Sequence, residues 1–122
     1  MTKRPTWSID DLLRATGGRL LYGNPEAGFD NVAIDSRQLE PQDLFLAVKG
    51  EVHDGHRFCA DVVAGGCRGL IVDPQTKIQL DHQNWEGAGV SCIEVEDTTR
   101  ALGRLARYHR RRCRPRRDLQ RP

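Results

Sequence analysis

The chain has 122 residues, 38% of them apolar and 30% charged, and a net charge of +2. That size fits one domain with a single core, and no repeat or low-complexity tract is present. No apolar run approaches the ~18 to 20 residues of a membrane-spanning helix, and the amino terminus lacks the apolar stretch of a signal peptide, so the expectation is a cytoplasmic protein.

Ser8 with Asp11 three residues later forms a capping-box pattern ahead of Leu12, Leu13 and Ala15, and Gly17-Gly18 supplies a stop, which predicts a helix from Ile9 to Thr16. Arg19 to Tyr22 reads as a short strand that turns at Gly23-Asn24-Pro25, with a strand from Asn31 returning afterwards. Val32 and Ile34 keep the two-residue period of a half-buried strand, which runs into Asp35, Ser36 and Arg37. A turn at Glu40-Pro41-Gln42-Asp43 leads to Leu44, Phe45, Leu46, Ala47 and Val48, a continuous apolar run typical of a strand covered on both faces. It stops at Lys49-Gly50.

After Asp54-Gly55, the segment from His56 to Ala64 places Phe58, Val62 and Val63 on one helical face, and Gly65-Gly66 ends it. Leu70, Ile71 and Val72 form a buried strand closed by Asp73-Pro74. The resulting strand, helix, strand unit predicts parallel pairing and an α/β fold with a mixed, mainly parallel sheet flanked by helices. Residues 75–90 have no clean period and read as a loop with room for a helical turn. Ser91 to Val95 alternates as a further strand, and a last helix, capped by Asp97 or Thr98, carries Ala101, Leu102, Leu105, Ala106 and His109 on its apolar stripe.

Parallel strands at 31–34 and 44–48 would bring Ser36, Arg37, Lys49 and Gly50 to one rim of the sheet, the carboxyl edge where open α/β sheets bind ligands. An arginine fork, a hydroxyl, a lysine and glycine-loop amides together suit a diphosphate. The plainer alternative pairs Arg37 with Asp35 or Asp43 and leaves Lys49 solvated. Asp54 with His56 could act as a general base, but a structural role fits better: Asp54 caps the helix, Gly55 permits the turn, and the helix start aims its free amides at the ligand. No nucleophile elbow accompanies Asp35-Ser36, so no catalytic residue is assigned.

Cys59, Cys67 and Cys92 read as small buried hydrophobes, and Cys113 stands in the tail. Their spacing with His53, His56 or His109 matches no zinc loop, so no metal site is assigned. Nine arginines against one aspartate between Arg104 and Arg121 give that segment +8, leaving −6 for the rest of the +2 chain. Residues 1–112 therefore read as the domain and 113–122 as a basic, disordered tail, which could hold nucleic acid through counterion release, although that partner is the weaker expectation.

The run I-D-S-R at 34–37, with P-Q-D-L-F-L-A-V-K-G-E at 41–51, D-G-H-R-F at 54–58 and A-G-G-C-R-G-L-I-V at 64–72, resembles the amino-terminal domain of the Mur ligases, in the branch that adds D-alanyl-D-alanine to UDP-N-acetylmuramoyl tripeptide. The resemblance runs from Trp7 to Arg112. It implies a domain that grips the UDP end of the substrate, with central and carboxyl-terminal domains, ATP and Mg2+ belonging to the complete enzyme and no cofactor to this chain. Within it, Ile34 and Ser36 match positions lying against uridine and phosphates, and Arg37, Lys49, Gly50, Asp54, Gly55 and His56 complete the implied UDP site. Glu51, Val52 and His53 fall where relatives carry a short H-Q-x loop at the nucleotide, with different residue types here. The chain holds no G-x-x-G-K-[ST] loop, so alone it is expected to be inactive, a truncated or frame-shifted ligase product or a piece cut at the linker. A freestanding binding or regulatory module is the alternative.

Overall fold

In the computed structural model, residues 7–50 and 52–112 are described. The basic tail, Cys113 and Glu51 lie outside them. In chain order the elements are β1 (Trp7–Ser8), α1 (Ile9–Thr16), β2 (Arg19–Tyr22), β3 (Gly28–Phe29), β4 (Asn31–Ala33), a 3-10 turn (Ser36–Gln38), β5 (Asp43–Leu46), a second 3-10 turn (Gly55–Phe58), α2 (Cys59–Ala64), β6 (Gly69–Val72), α3 (His82–Gly87), β7 (Ser91–Glu94) and α4 (Thr98–Arg112).

Five strands form one sheet in the order β2-β7-β6-β5-β4, parallel throughout except for β2, which runs antiparallel along β7. Each central strand divides its side chains between two cores, because successive residues point to opposite faces. Leu44 and Leu46 of β5, Ile71 of β6 and Ile93 of β7 pack with Trp7, Ile9, Leu12, Phe29, Ala101 and Leu105 under α1 and α4. Phe45 and Ala47, Leu70 and Val72, and Cys92 pack with Cys59, Val62, Cys67, Trp85 and Val90 under α2 and α3. This two-sided burial is why these strands read as unbroken apolar runs, and each large side chain so buried contributes about 1.5–3 kcal/mol.

The first helix forms where its cap dictates. Ser8 Oγ accepts from the Asp11 backbone N–H at 3.0 Å while Asp11 Oδ2 accepts from the Ser8 N–H at 3.2 Å, and Gly17, at φ 73, closes the helix with its N–H on the Leu13 carbonyl. Asp11 also ties α1 to α4: Tyr108 Oη donates to Oδ1 at 3.0 Å, and Arg112 donates to Oδ2 at 3.1 Å while its guanidinium lies 4.3 Å from the Trp7 ring centroid.

Three expectations need correction. β2 and β4 do not form a hairpin: they occupy opposite edges of the sheet, because the intervening chain runs through β3, which pairs with β1 instead. β4 ends at Ala33, so Ile34 lies beyond the strand and is 53% exposed rather than half-buried within it. The helix expected from His56 begins as a 3-10 turn and becomes α-helical only at Cys59. Within residues 75–90 a six-residue helix forms around the buried Trp85, too short to reveal a period in the sequence.

Candidate functional site

β4 and β5 pair in parallel with Val32 opposite Leu44 and Ala33 opposite Phe45, so the chain leaves both strands on the same rim. After β4, the Asp35 side chain accepts from the Arg37 N–H at 2.9 Å and starts the 3-10 turn that carries Ser36 and Arg37. After β5 the chain doubles back in a tight loop. Lys49 and Asp54 form an antiparallel bridge, the Gly50 N–H donates to the His53 carbonyl at 2.9 Å, and the Gly55 N–H donates to the Val48 carbonyl at 2.8 Å. Glycine is required at 55 for space: a Cβ there would stand 2.7 Å from the Val48 carbonyl oxygen and 2.9 Å from its nitrogen, both main-chain atoms.

Between these two loops lies an open cleft of about 570 Å3, lined by Ile34, Asp35, Ser36, Arg37, Val48, Gly50, His53, Gly55 and Phe58. Exposed Ile34 and half-buried Phe58 offer apolar contact for a flat ring, while the Ser36 hydroxyl, the Arg37 guanidinium and the His53 imidazole offer polar groups. Ser36 also edges a smaller pocket of about 220 Å3 that runs toward Glu40, Asp61 and Cys67.

Of the residues the sequence points to, Ile34, Ser36, Arg37, Gly50, His53 and Gly55 line this cleft together. Lys49, Val52, Asp54 and His56 are not among the residues lining it. Lys49 and Val52 are exposed, the latter at 84%, whereas the His56 side chain is completely buried. Asp35, Val48 and Phe58 were missed as cleft residues. Asp35 reads in sequence as a turn former, and Val48 and Phe58 as core, since periodicity cannot tell the inner face of a core from the wall of a cleft beside it.

The electrostatics are milder than the expected cationic rim. Arg37 is already engaged with Asp35 through Nε at 3.1 Å and Nη2 at 3.2 Å, so one positive and one negative group nearly cancel, and Nη1 is left without a partner among the described residues. Hydrogen bonds from the Arg37 side chain, then from its backbone N–H, hold the Asp35 carboxyl below its usual range. Nor does the turn at Gly55 aim free amides at the cleft. The N–H groups of Gly55, His56 and Arg57 are taken by the Val48 carbonyl, the Asp54 carboxylate and the Asp54 carbonyl respectively.

Asp54 is saturated by internal partners. Its Oδ1 accepts from the His56 N–H at 3.0 Å and from His56 Nδ1 at 2.6 Å, and its Oδ2 accepts from Thr76 Oγ1 at 2.6 Å. Partial burial pushes this carboxyl up, but the bonds from Thr76 and His56 outweigh it and hold the group below its usual value. A carboxylate spent in this way and a fully buried imidazole have no access to a substrate proton, so the pair is structural rather than a general base.

Burial also pushes up the thiols of Cys59, Cys67 and Cys92, with Cys92 reaching about 12, which makes them inert packing groups. Among the described residues no three His, Cys, Asp or Glu side chains converge as a metal site, and no helix is long and apolar enough to cross a membrane.

A family profile described as Mur ligase family, catalytic domain, matches residues 29–110. The UDP-N-acetylmuramoyl-tripeptide--D-alanyl-D-alanine ligase of Treponema pallidum (strain Nichols) is 34% identical over 104 residues, covering 84% of this chain and 23% of the relative. The UDP-N-acetylmuramoyl-L-alanyl-D-glutamate--2,6-diaminopimelate ligase of Clostridium perfringens (strain 13 / Type A) is 33% identical over 94 residues, covering 77% of this chain and 18% of that protein. A crystal structure of MurF from Acinetobacter baumannii superposes with a TM-score of 0.70 at 36% identity, over 87% of this chain and 21% of that one. The chain thus spans about a fifth of the length of the relatives it matches.

Proposed function

This chain belongs to the Mur ligase family, and from that premise we propose that it recognises the substrate, holding the UDP end of a UDP-N-acetylmuramoyl peptide in the cleft at the carboxyl ends of β4 and β5. The observation that carries the reading is the convergence of two consecutive parallel strands on one cleft, with Ile34 to Arg37 on one wall and Gly50, His53 and Gly55 on the other. Open α/β sheets bind ligands at this rim.

The composition of the walls assigns the parts. Ile34 and Phe58 take the uracil face, an apolar contact that loses little to water. Ser36 and the unpartnered Nη1 of Arg37 donate to the diphosphate, and His53 stands beside them. Because Asp35 offsets much of the Arg37 charge, the nucleoside supplies more of the affinity than the phosphates do. UDP should bind this domain better than inorganic pyrophosphate.

In a complete ligase such a grip acts far from the reacting atoms. Binding energy gained at the nucleotide fixes the peptide carboxylate for activation and for attack by D-alanyl-D-alanine, an entropic contribution of the kind remote contacts make. ATP and Mg2+ would serve the activation. The residues present here do not fit them, since the chain contains no G-x-x-G-K-[ST] loop and the described residues hold no carboxylate cluster for a metal. We therefore assign catalysis to other domains of a full-length ligase, no catalytic residue to this chain, and a cytoplasmic setting to the whole.

Calorimetric titration of the chain with UDP-N-acetylmuramoyl tripeptide, with UDP as competitor, tests the assignment. Saturable heat that UDP abolishes, and that weakens in Ile34→Ser and Arg37→Ala, is the expected result. Absence of heat with every uridine nucleotide would refute it.

A further inference from the structure

His56 is fully buried, does not line the cleft, and makes two hydrogen bonds that define its chemistry. Nε2 accepts from the Asp73 backbone N–H at 3.0 Å, which requires that this nitrogen carry no proton, so Nδ1 bears the hydrogen and donates to Asp54 Oδ1 at 2.6 Å. Asp54 sits at the end of the loop that forms one wall of the cleft, and it pairs across that loop with Lys49. Asp73 directly follows β6, the strand beside β5, and its own carboxylate accepts from the Gln75 N–H at 3.0 Å and from the N–H and Oγ1 of Thr98, the first residue of α4, at 3.3 and 3.2 Å. Thr76 Oγ1 closes the circuit on Asp54.

We propose that His56 is a positioning residue for the nucleotide cleft: as the neutral Nδ1–H tautomer it bridges Asp54 to the end of β6 and holds Gly50, His53 and Gly55 opposite the wall formed by Ile34 to Arg37. The inference rests on the reading of the cleft as a uridine nucleotide site. Beside His56, the side-chain ties on the described residues of this loop are Thr76 Oγ1 to Asp54 Oδ2 at 2.6 Å and Arg57 Nη1 to His53 Nδ1 at 3.2 Å, neither of which reaches β6. Gly50, Val52 and His53 contribute no side chain to either core, and the Lys49–Asp54 bridge and the Gly50 and Gly55 hydrogen bonds are internal to the turn or reach only Val48. The span from His56 Nε2 to Asp73 carries the position of β6 to that turn. Removing the acceptor leaves a buried N–H unsatisfied and lets the wall shift, widening a cleft whose contacts depend on both sides.

The test uses two substitutions that divide the bridge. In His56→Gln the amide oxygen reaches the place of Nε2 and can accept from Asp73, but the donor toward Asp54 is lost. In His56→Asn the shorter side chain keeps only the donor toward Asp54. UDP titrated into the 122-residue chain should bind each variant about tenfold more weakly than wild type, since each keeps one end of the bridge and loses one buried hydrogen bond. Wild-type affinity in either variant would overturn the proposal.

If His56→Asn fails to fold, long-range proton–nitrogen correlation spectra of the wild type decide. An Nδ1–H tautomer supports the bridge, and an Nε2–H tautomer overturns it. Should wild type bind no uridine nucleotide, the reading of the cleft fails, but exchange of the Gly50 and Gly55 amides still judges His56. Exchange faster in both variants than in wild type supports the positioning role, and wild-type exchange in either contradicts it.

Discussion

Replacing Gly55 by alanine adds one carbon where the structure has no room, and the same change at Gly103 adds it where there is nothing within 4 Å. Gly55 does not have a positive φ, so the alanine backbone is unstrained and the clash alone is measured. The new Cβ would lie 2.7 Å from the Val48 carbonyl oxygen, 2.9 Å from the Val48 nitrogen and 3.2 Å from the Ala47 carbonyl carbon. All three are main-chain atoms in the segment just after β5, so no rotamer change relieves the overlap. Either the loop or the strand must move, and the 2.8 Å bond from the Gly55 N–H to Val48 breaks with it. Overpacking of about 1–3 kcal/mol and one lost hydrogen bond of about 1 kcal/mol give a cost of ~2–4 kcal/mol. For a domain of this size the unfolding midpoint should then fall on the order of 10–20 °C. Gly103, exposed within α4, should instead gain about 0.5–1 kcal/mol as alanine, raising the midpoint by a few degrees. Thermal unfolding followed by circular dichroism measures both. A Gly55→Ala midpoint within about 2 °C of wild type would refute the close-approach argument, given the ~4 °C or more expected per kcal/mol.

Arg37→Ala should weaken UDP binding about tenfold with the unfolding midpoint unchanged, because its pair with Asp35 is exposed and contributes little to stability; titration and melting on the same preparation check this. Stability should fall on the acid side through Asp11. Partial burial pushes its carboxyl up, but the Ser8, Tyr108 and Arg112 contacts outweigh this and hold it low, so its contribution is complete above the unfolded value of about 3.9 and is lost as pH drops through the lower folded value. Urea unfolding from pH 7 to pH 2 should show Asp11→Ala losing about 1–2 kcal/mol at neutral pH and converging on wild type at the acid end, whereas a constant difference would contradict the assignment. In a Cys113→Ser background the thiols of Cys59, Cys67 and Cys92 should resist a disulfide reagent at pH 8 until denaturant is added, and rapid reaction of the folded chain would show that they are not buried as described.

The sheet and its helices were legible because their signals are local and redundant. The capping box at Ser8 and Asp11, the glycine stop at 17, and the apolar runs of β5 and β6 each satisfy one rule of chain geometry, and tertiary contacts reinforce them. The false hairpin arose because a strand, a Gly-Asn-Pro turn and a second strand look the same whether the strands meet or are separated by a sheet, and β3 is only two residues long. Strand ends alone pointed to Ser36, Arg37 and Gly50 as rim residues, whereas Ile34, His53 and Gly55 entered through the family resemblance, and all six line the cleft. Lys49 did not join them, since its neighbour in space is set by the bridge to Asp54, and that pairing depends on the turn between them. His56 looked like a contact residue for a related reason: sequence distinguishes poorly between a histidine facing a ligand and one facing the strand behind it.

The most direct measurement of whether this rim receives a uridine nucleotide is a backbone amide spectrum of the isotopically labelled chain, recorded while UDP is added. Saturable shifts should concentrate at Ile34, Ser36, Arg37, Gly50, His53 and Phe58, with α3 and the β2 edge unmoved. Shifts spread over α4, or centred on a face away from the ends of β4 and β5, would contradict it.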